Sequence, residues 1–200
     1  MENYNNVGAI VLAGGRGTRF RQQKQFVMFQ GKELWRHVFD KLLQLIPRER
    51  VVVVGVDVPG GETRSGSVMN GLRVLEECSK VLLVEAARPL VTIEQLQQLI
   101  EAEADSLTFV APCVDTIIKK DKTYLDRSDC LRLQTPQAFN YSLLKSAYAT
   151  GKYTDMTDET RVLFEEYGIA PTFLDGGENL YKVTYPKDLA FLEAHFSDFL

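Results

Sequence analysis

The chain has 200 residues, of which 45% are hydrophobic and 25% are charged, and its formal net charge at pH 7 is −4. This length and composition predict a single globular domain over residues 1–200 with a sizeable core. The slightly acidic balance argues against a nucleic-acid-binding surface, so cations that bind an anion are expected to be few and local.

The first predicted strand, Val7–Ala13, runs directly into a glycine-rich turn that is edged with cations. Glycines in such a turn let backbone N–H groups approach an anion, and the cations neutralise it. No Gly-Lys-Ser/Thr closes a P-loop, and Phe20 stands where the third glycine of a dinucleotide fingerprint belongs. We expect a polyphosphate loop of another kind, with a plain strand-to-helix turn as the alternative. The glycines and cations concerned are Gly14, Gly15, Gly17, Arg19 and Lys24.

Further strands and helices alternate along the chain. Apolar runs typical of strands buried on both faces of a sheet lie at Val51–Gly55, Val81–Ala86 and Leu107–Pro112. Helical patterns lie at Leu34–Ile46, Ser67–Glu77, from the capping box at Thr92–Gln95, at Asp158–Tyr167 and at Pro186–Phe199. This alternation predicts a doubly wound, Rossmann-like α/β fold with a mostly parallel sheet, whose ligands bind at the carboxyl ends of the strands.

Residues 115–129 break this alternation. Two short strand-like runs flank a charged turn, Lys119–Lys122, which predicts a β-arm that projects from the main sheet. A projecting arm exposes strand edges unless something covers them. A second subunit, which would make the protein a homodimer, and an arm folded back on its own domain are both compatible with this pattern.

The cysteines and the apolar runs indicate the compartment. Cys78, Cys113 and Cys130 are widely spaced in the sequence and form no CxxC pair, which favours a reducing compartment and packing roles for all three. Residues 1–8 lack the apolar core of a signal sequence, and no run approaches the roughly 18 apolar residues of a membrane span. We therefore expect a cytoplasmic protein that has no membrane partner.

Nine short motifs occur in order along most of the chain. They lie at residues 12–19, 24–26, 60–72, 85–90, 114–117, 126–128, 134–139, 157–159 and 182–184. Together they resemble the successive motifs of the 2-C-methyl-D-erythritol 4-phosphate cytidylyltransferase family, and nine matches in family order make coincidence improbable. The resemblance implies a nucleotidyltransferase that transfers CMP from CTP to a sugar-alcohol phosphate and releases pyrophosphate.

The resemblance also implies catalytic roles. Arg19 and Lys24 would stabilise the charge that develops in the transition state, while Arg127 and Lys182 would hold the acceptor phosphate in line for attack. This chemistry needs positioning and electrostatic stabilisation, but no side-chain nucleophile or general base, because a phosphate monoester is already anionic at neutral pH. Further hydrogen bonds to the acceptor phosphate would come from Thr116, Thr135 and Thr157.

The nucleotide is expected to lie against glycine-rich segments. Gly60–Glu62 and Ser67 would form the cytosine pocket, where backbone groups close to the base exclude uracil. A loop followed by Ser67 as a helix N-cap is the alternative. Arg88 would either steer a phosphate or pair with Glu85. The other residues implied to bind substrate are Ala13, Gly14, Gly15, Gly61, Glu62 and Ala86.

Glu85 is the candidate metal ligand. It ends the buried run Val81–Val84, where a carboxylate is costly unless it binds something, and Mg²⁺ on the triphosphate is the partner we expect.

Two features depart from the family pattern. Val84-Glu85 stands where the family usually has His-Asp, and few residues precede Gly60 where the family generally has a further helix and short strand. We expect the sheet to have lost an edge element, since a parallel crossover needs about a dozen residues.

Two other functions remain open from the sequence. A cytidylyltransferase for another polyol phosphate, such as ribitol 5-phosphate, would share most of these motifs, although Ala86–Pro89 and Asp126–Ser128 look more like the methylerythritol phosphate enzymes. A nucleotide-binding module without catalysis would account for Glu85 and the short segment before Gly60. A module without catalysis would not be expected to retain all four candidate catalytic cations, Arg19, Lys24, Arg127 and Lys182, which are spread over the whole chain.

Overall fold

The computed structural model describes residues 4–194 and 196. The strands are β1 (Val7–Leu12), β2 (Met28–Phe29), β3 (Lys32–Glu33), β4 (Val51–Val54), β5 (Lys80–Glu85), β6 (Ser106–Pro112), β7 (Ile117–Ile118), β8 (Tyr124–Leu125), β9 (Leu131–Asn140) and β10 (Thr172–Asp175). The helices are α1 (Leu34–Leu42), α2 (Arg64–Val74), α3 (Ile93–Glu101), α4 (Tyr141–Ala149), α5 (Glu159–Tyr167) and α6 (Pro186–Ala194).

Within these residues, six strands form the main sheet in the order β10-β6-β9-β5-β1-β4. β1 pairs in parallel with β4 and β5, and β10 pairs in parallel with β6. β9 runs antiparallel between β5 and β6. The sheet is mostly parallel, which confirms the predicted fold class.

Apolar clusters cover both faces of the sheet. Ala9 and Val11 of β1 belong to the cluster that contains α1 and α3 side chains, whereas Ile10 belongs to the opposite cluster, with α2, α4 and α5. Because β1 is buried on both faces, its sequence is continuously apolar rather than alternating. No helix in the described part of the chain is long and apolar enough to cross a bilayer.

Capping groups set the helix ends. Thr92 and Gln95 form the predicted capping box of α3, and Asp158 caps α5, which ends at Gly168 in a left-handed conformation. The prediction for α2 was wrong at its start. Thr63 accepts a hydrogen bond from the N–H of Gly66 and is the N-cap, so Ser67 lies inside the helix. The predicted end of the last helix, residues 197–199, lies outside the described residues.

The sequence patterns did not predict β9, α4 or β10. Pro136 argues against a central strand because proline has no N–H for the ladder. The register between β6 and β9 shifts where Thr108 pairs with Gln137 and Phe109 with Gln134. Thr135 and Pro136 therefore lie in a bulge, where the proline interrupts no ladder hydrogen bond.

The arm and the shortened segment agree with expectation. β7 and β8 pair antiparallel in a small sheet of their own, which confirms a β-arm at about residues 115–129. In the described residues β4 is an edge strand, and the loop after it carries only a bridge between Val54 and Val58 before α2 begins.

Candidate active site

A cavity of about 250 Å³ lies at the carboxyl ends of β1 and β5, where ligands of open α/β sheets bind. Segments that are far apart in the chain meet there, from the glycine turn after β1 to the loop before α6. The predicted site residues that line the cavity are Ala13, Gly14, Gly15, Arg19, Lys24, Gly61, Glu62, Ser67, Glu85, Ala86 and Lys182.

The shape of the glycine turn depends on two of its glycines. Gly17 has φ +63°, a left-handed conformation that favours glycine. A Cβ on Gly14 would lie 2.6 Å from Cα of Gly60, so the turn packs directly against the loop before α2. A Cβ on Gly15 would meet no protein atom within 4 Å. Backbone at Gly15 is therefore open to a ligand, whereas backbone at Gly14 is committed to packing.

Lys24 is held at the wall of the cavity. Its Nζ donates a hydrogen bond to the carbonyl of Val183 at 2.7 Å. Burial and the neighbouring charge of Lys182 lower the pKa of Lys24, Glu85 raises it, and the net result is a pKa of about 8. Arg19 lies exposed at the same cavity. The cations predicted from the first turn therefore do meet Lys182, which is distant in sequence.

Glu85, at the end of β5, is the carboxylate that lies among the cations of the cavity. Its Oε2 lies 2.5 Å from Nζ of Lys182, and its Oε1 lies 3.6 Å from Nε of Arg64. Burial alone would raise the pKa of Glu85, but Lys182 and Arg64 outweigh that effect and lower it. Glu85 is thus held as a carboxylate between two cations.

Arg64 and Glu159, to which no sequence motif assigned a role, extend the charged cluster around Glu85 into the core. The Arg64 guanidinium donates a hydrogen bond to the fully buried Glu159, which also accepts one from the Tyr148 hydroxyl at 2.9 Å. Burial raises the pKa of Glu159, opposed by Arg64. The pair lies 95 residues apart, so no local spacing pointed to it.

The proposed cytosine pocket is built by the loop before α2. The N–H of Gly61 donates to Oγ of Ser67 at 3.0 Å, and a Cβ on Gly61 would lie 2.4 Å from the carbonyl carbon of Gly66. The loop therefore folds tightly onto the first turn of α2. Glu62 is exposed at the rim of the cavity.

Arg88 and the predicted acceptor residues lie elsewhere. Arg88 is buried, and it donates hydrogen bonds to Oγ1 of Thr135 at 2.9 Å and to the carbonyl of Leu180. Within the described residues Arg88 forms no direct ion pair with Glu85, although burial lowers the pKa of Arg88 and the charge of Glu85 opposes that effect. Arg88 and Lys182 line a neighbouring groove of about 980 Å³. Lys182 thus belongs to both openings.

Residues predicted to hold the acceptor phosphate are dispersed in a single chain. Thr116 and Arg127 are exposed on the arm, and a guanidinium nitrogen of Arg127 donates to the carbonyl of Val114 at 2.5 Å. Thr157 is exposed beside the cap of α5. Neither the arm residues nor Thr157 lines the 250 Å³ cavity.

Known proteins resemble this chain over almost its whole length. Residues 7–198 match the family model for 2-C-methyl-D-erythritol 4-phosphate cytidylyltransferase. A protein of that name from Thermotoga neapolitana is 32% identical over 209 aligned positions, with 90% of this chain and 92% of the relative covered. Another from Geobacillus thermodenitrificans is 35% identical, with 94% and 96% covered. The Francisella tularensis crystal structure of a protein of that name has a TM-score of 0.76 at 25% identity, with 95% and 99% covered.

Length differs between this chain and these relatives. The Thermotoga alignment has more positions than this chain has residues, so the relative contains residues without a counterpart here. A shortened segment between β4 and α2 is consistent with that difference.

Proposed function

The chain belongs to the 2-C-methyl-D-erythritol 4-phosphate cytidylyltransferase family, and we propose that the cavity at the carboxyl ends of β1 and β5 is where it transfers CMP from CTP to 2-C-methyl-D-erythritol 4-phosphate. This reaction releases pyrophosphate and serves isoprenoid precursor synthesis. One observation carries the placement. The glycine turn meets Arg19, Lys24 and Lys182 in a single cavity, although Lys182 lies far from the turn in the sequence.

We assign Arg19 and Lys24 to stabilisation of the transition state. An oxygen of the acceptor phosphate attacks the α-phosphorus of CTP, and the bond from that phosphorus to pyrophosphate breaks. Negative charge increases on the phosphoryl oxygens and on the leaving group, so fixed cations close to phosphorus lower the barrier. At pH 7 most Lys24 side chains are protonated, since their pKa is about 8. Lys24 can therefore donate hydrogen bonds and charge to this centre.

The nucleotide base is assigned to the loop before α2. Gly61 and Ser67 are already joined by a hydrogen bond, so this part of the cavity is shaped before a ligand enters. Gly61 and Glu62 line the cavity, and we assign their backbone carbonyls to accept hydrogen bonds from the exocyclic amine of cytosine. Uracil lacks this amine, so its binding would leave hydrogen-bonding groups of the pocket unpaired, and the pocket would discriminate against it.

Mg²⁺ is the proposed metal, with Glu85 as its protein ligand. Within the described residues no three potential metal-ligating side chains cluster, so the protein offers one carboxylate rather than a complete cage. Mg²⁺ usually binds through one or two carboxylates together with substrate phosphates, and an ionised Glu85 at the cavity wall fits that mode. When bound, Mg²⁺ would neutralise charge on the triphosphate. Glu85 meanwhile orients Lys182 through their ion pair.

A homodimer is proposed to complete the acceptor side. Lys182 joins the cavity to the neighbouring groove, while Arg127 and Thr116 project away on the arm. The arm also exposes apolar side chains, with Tyr124 72% and Val114 66% exposed. An arm that crosses to a second subunit would cover this surface and bring the partner subunit's Arg127 to the acceptor phosphate. The activity uses CTP and a phosphorylated polyol, and we propose a cytoplasmic location for it.

A pyrophosphate-release assay tests the proposed function directly. Purified protein is incubated with Mg²⁺ and CTP, UTP, ATP or GTP, each combined with 2-C-methyl-D-erythritol 4-phosphate or ribitol 5-phosphate. We expect release with CTP and the methylerythritol phosphate, and loss of that release in Lys24→Ala. Faster turnover with ribitol 5-phosphate would identify another polyol cytidylyltransferase. CTP binding without turnover on either acceptor would identify a module that has lost catalysis.

A further inference from the structure

The fold puts Cys113 and Cys130 at the end of the β6–β9 ladder, in the neck of the arm, which is formed by residues 112–114 and 129–131. β6 and β9 pair antiparallel through Ala111 with Arg132 and Pro112 with Leu131. Continued by one residue, this register places Cys113 opposite Cys130. The two cysteines are 17 positions apart in the sequence, and only the pairing of the strands makes them neighbours.

The geometry of facing residues suits a disulfide. Residues directly opposite each other in an antiparallel pair have Cα atoms about 4.5–5.5 Å apart. Disulfides span Cα separations of about 4.4–6.8 Å. Cys113 and Cys130 both carry free thiols and are both partly exposed, so a small oxidant can reach them. If the register continues by one residue, the neck can therefore be cross-linked with little rearrangement.

Cys78 provides an internal contrast. It is buried in the cluster under α2, and burial raises the pKa of its thiol to about 11. The thiolate is the reactive form of cysteine, so Cys78 should be inert under conditions in which partly exposed thiols react.

We propose that Cys113 and Cys130 are a redox pair that forms an intrachain disulfide when the protein meets a small disulfide oxidant of the glutathione type. The thiolate of one cysteine attacks a sulfur of glutathione disulfide and displaces one glutathione thiolate. The thiolate of the other cysteine attacks the mixed disulfide and displaces the second glutathione. The cysteine pair loses two electrons, the oxidant gains them, and the two thiol protons end on the two glutathione thiols.

Closing the neck should hold the arm in its present conformation. Arg127, three residues before Cys130, donates a hydrogen bond to the carbonyl of Val114, the residue after Cys113. A cross-link between the two cysteines keeps the backbone of Arg127 near Val114 and so favours this hydrogen bond. Because that bond competes with the acceptor phosphate for the guanidinium, a consequence that rests on the proposed function, oxidation should weaken use of the polyol phosphate. CTP binds away from the neck and should be unaffected.

Thiol counting and peptide mapping test the redox pair in the full-length protein. The reduced protein is incubated with glutathione disulfide, freed of the oxidant and examined without reductant. We expect two thiols to be lost, a chain that runs as a monomer in denaturing electrophoresis, and a peptide in which Cys113 is linked to Cys130. Trypsin cuts at the exposed Lys119, Lys120 or Lys122 should leave the two halves joined until reductant is added.

Matched variants make this test specific. Cys113→Ser and Cys130→Ser should each abolish the linked peptide, whereas Cys78→Ala should retain it. Separate glutathione adducts on the two cysteines that never resolve into a linked peptide would overturn the proposal. A disulfide between two chains, seen as a dimer band, would overturn it as well.

Kinetics then test the consequence for the arm. The oxidised protein should have a KM for the polyol phosphate raised several-fold over the reduced protein, with little change in KM for CTP, and the oxidant should have no such effect on Cys113→Ser. A linked protein with an unchanged acceptor KM would overturn the inhibitory consequence. Reduced Arg127→Ala separates the redox proposal from the proposed function. An unchanged KM for the polyol phosphate in this variant would remove Arg127 from the acceptor site without bearing on the disulfide.

Discussion

Among single side chains, Lys24 lies where burial and neighbouring cations make it lose its proton more easily than an exposed lysine does. Burial and the charges of Lys182 and Arg19 lower its pKa, while Glu85 and Asp188 raise it, and the result is a pKa of about 8. The protonated amine is the form that stabilises phosphate charge, so the useful state exists below this pKa and disappears above it. The site works with a lysine that titrates close to physiological pH.

Removing this amine should reduce turnover more than binding. We expect Lys24→Ala and Arg19→Ala each to lower kcat by about 10²–10³ with a smaller rise in KM for CTP, since both groups act on charge that develops in the transition state. Lys152→Ala, on the exposed surface, serves as the control. Steady-state kinetics with a pyrophosphate readout measure the effect, and near-normal turnover in either variant would remove that residue from the assignment.

The pH profile isolates the charge on Lys24. We expect kcat/KM for CTP to fall as pH rises through about 8, because free enzyme loses the Lys24 proton there. Arginine stays protonated throughout this range, so residual activity of Lys24→Arg should lack that limb. A wild-type profile without a fall near this pH, or the same fall in Lys24→Arg, would contradict the assignment.

Glu85 can be tested with two substitutions and one neighbour. Glu85→Gln should weaken the apparent affinity for Mg²⁺, because a neutral amide is a poorer ligand for a hard cation, whereas Glu85→Asp should retain activity. Glu62→Gln changes another carboxylate at the same cavity and should leave the Mg²⁺ dependence unchanged. Titration of Mg²⁺ at fixed CTP gives the comparison. Parent-like behaviour of Glu85→Gln would exclude Glu85 as the ligand.

At the level of elements, two neighbouring glycines of the turn after β1 have different roles: one packs against the protein and the other leaves space for a ligand. Gly14 is packed against Gly60, while Gly15 faces open space. Gly14→Ala should therefore lower the melting temperature and impair CTP binding together. Gly15→Ala should melt like the parent and still bind CTP more weakly, because its methyl group would meet only the ligand. Thermal melts and CTP titration check this, and normal CTP binding by Gly15→Ala would place the triphosphate elsewhere.

The Arg64–Glu159 pair joins the start of α2 to the start of α5. Glu159 is fully buried, so Glu159→Gln leaves a charged guanidinium facing a neutral amide in the core. We expect the free energy of unfolding to fall by about 3–5 kcal/mol. The exposed pair Arg161–Glu165 is the matched control, and Glu165→Gln should cost about 0.5 kcal/mol or less. Urea unfolding measures both, and equal losses would contradict the structural role.

At the scale of the whole molecule, the proposed dimer predicts that two inactive subunits repair each other. Each active site would take Lys24 from one chain and Arg127 from the other. Inactive Lys24→Ala and Arg127→Ala subunits, mixed so that they exchange, should recover about a quarter of wild-type activity, since half of the dimers would be mixed and each would have one intact site. Activity after demonstrated exchange is the measurement.

A second mixture controls for this result. Lys24 and Lys182 line the same cavity of one chain, so Lys24→Ala mixed with Lys182→Ala should recover nothing. Absence of recovery in the first mixture despite exchange, or a monomer at working concentration, would rule out the shared site. Recovery in both mixtures would show that intact wild-type protein contaminates the preparations.

Local patterns were sufficient for much of the architecture. β1, the turn after it, the capped starts of α3 and α5 and the arm were predicted because each depends on residues within a few positions of one another. Apolar continuity, capping residues and charged turns act over that range. Gly14 and Lys24 were placed at the ligand site with them, since the carboxyl ends of parallel strands meet at one edge of a sheet, whereas Gly61 was implied by the family resemblance; all three line the cavity.

By itself, the sequence determined the fold class, the family resemblance and the glycine turn with its cations. Tertiary structure alone decided that β9 enters the sheet antiparallel with a bulge at Pro136, that Arg64 pairs with Glu159, and that Cys113 and Cys130 both follow directly on the last pair of the β6–β9 ladder. Each of these depends on two segments that are far apart in the sequence and meet only through strand pairing or core packing. Local periodicity cannot predict such a contact, because the geometry of the contact exists only after the chain has closed the intervening loop.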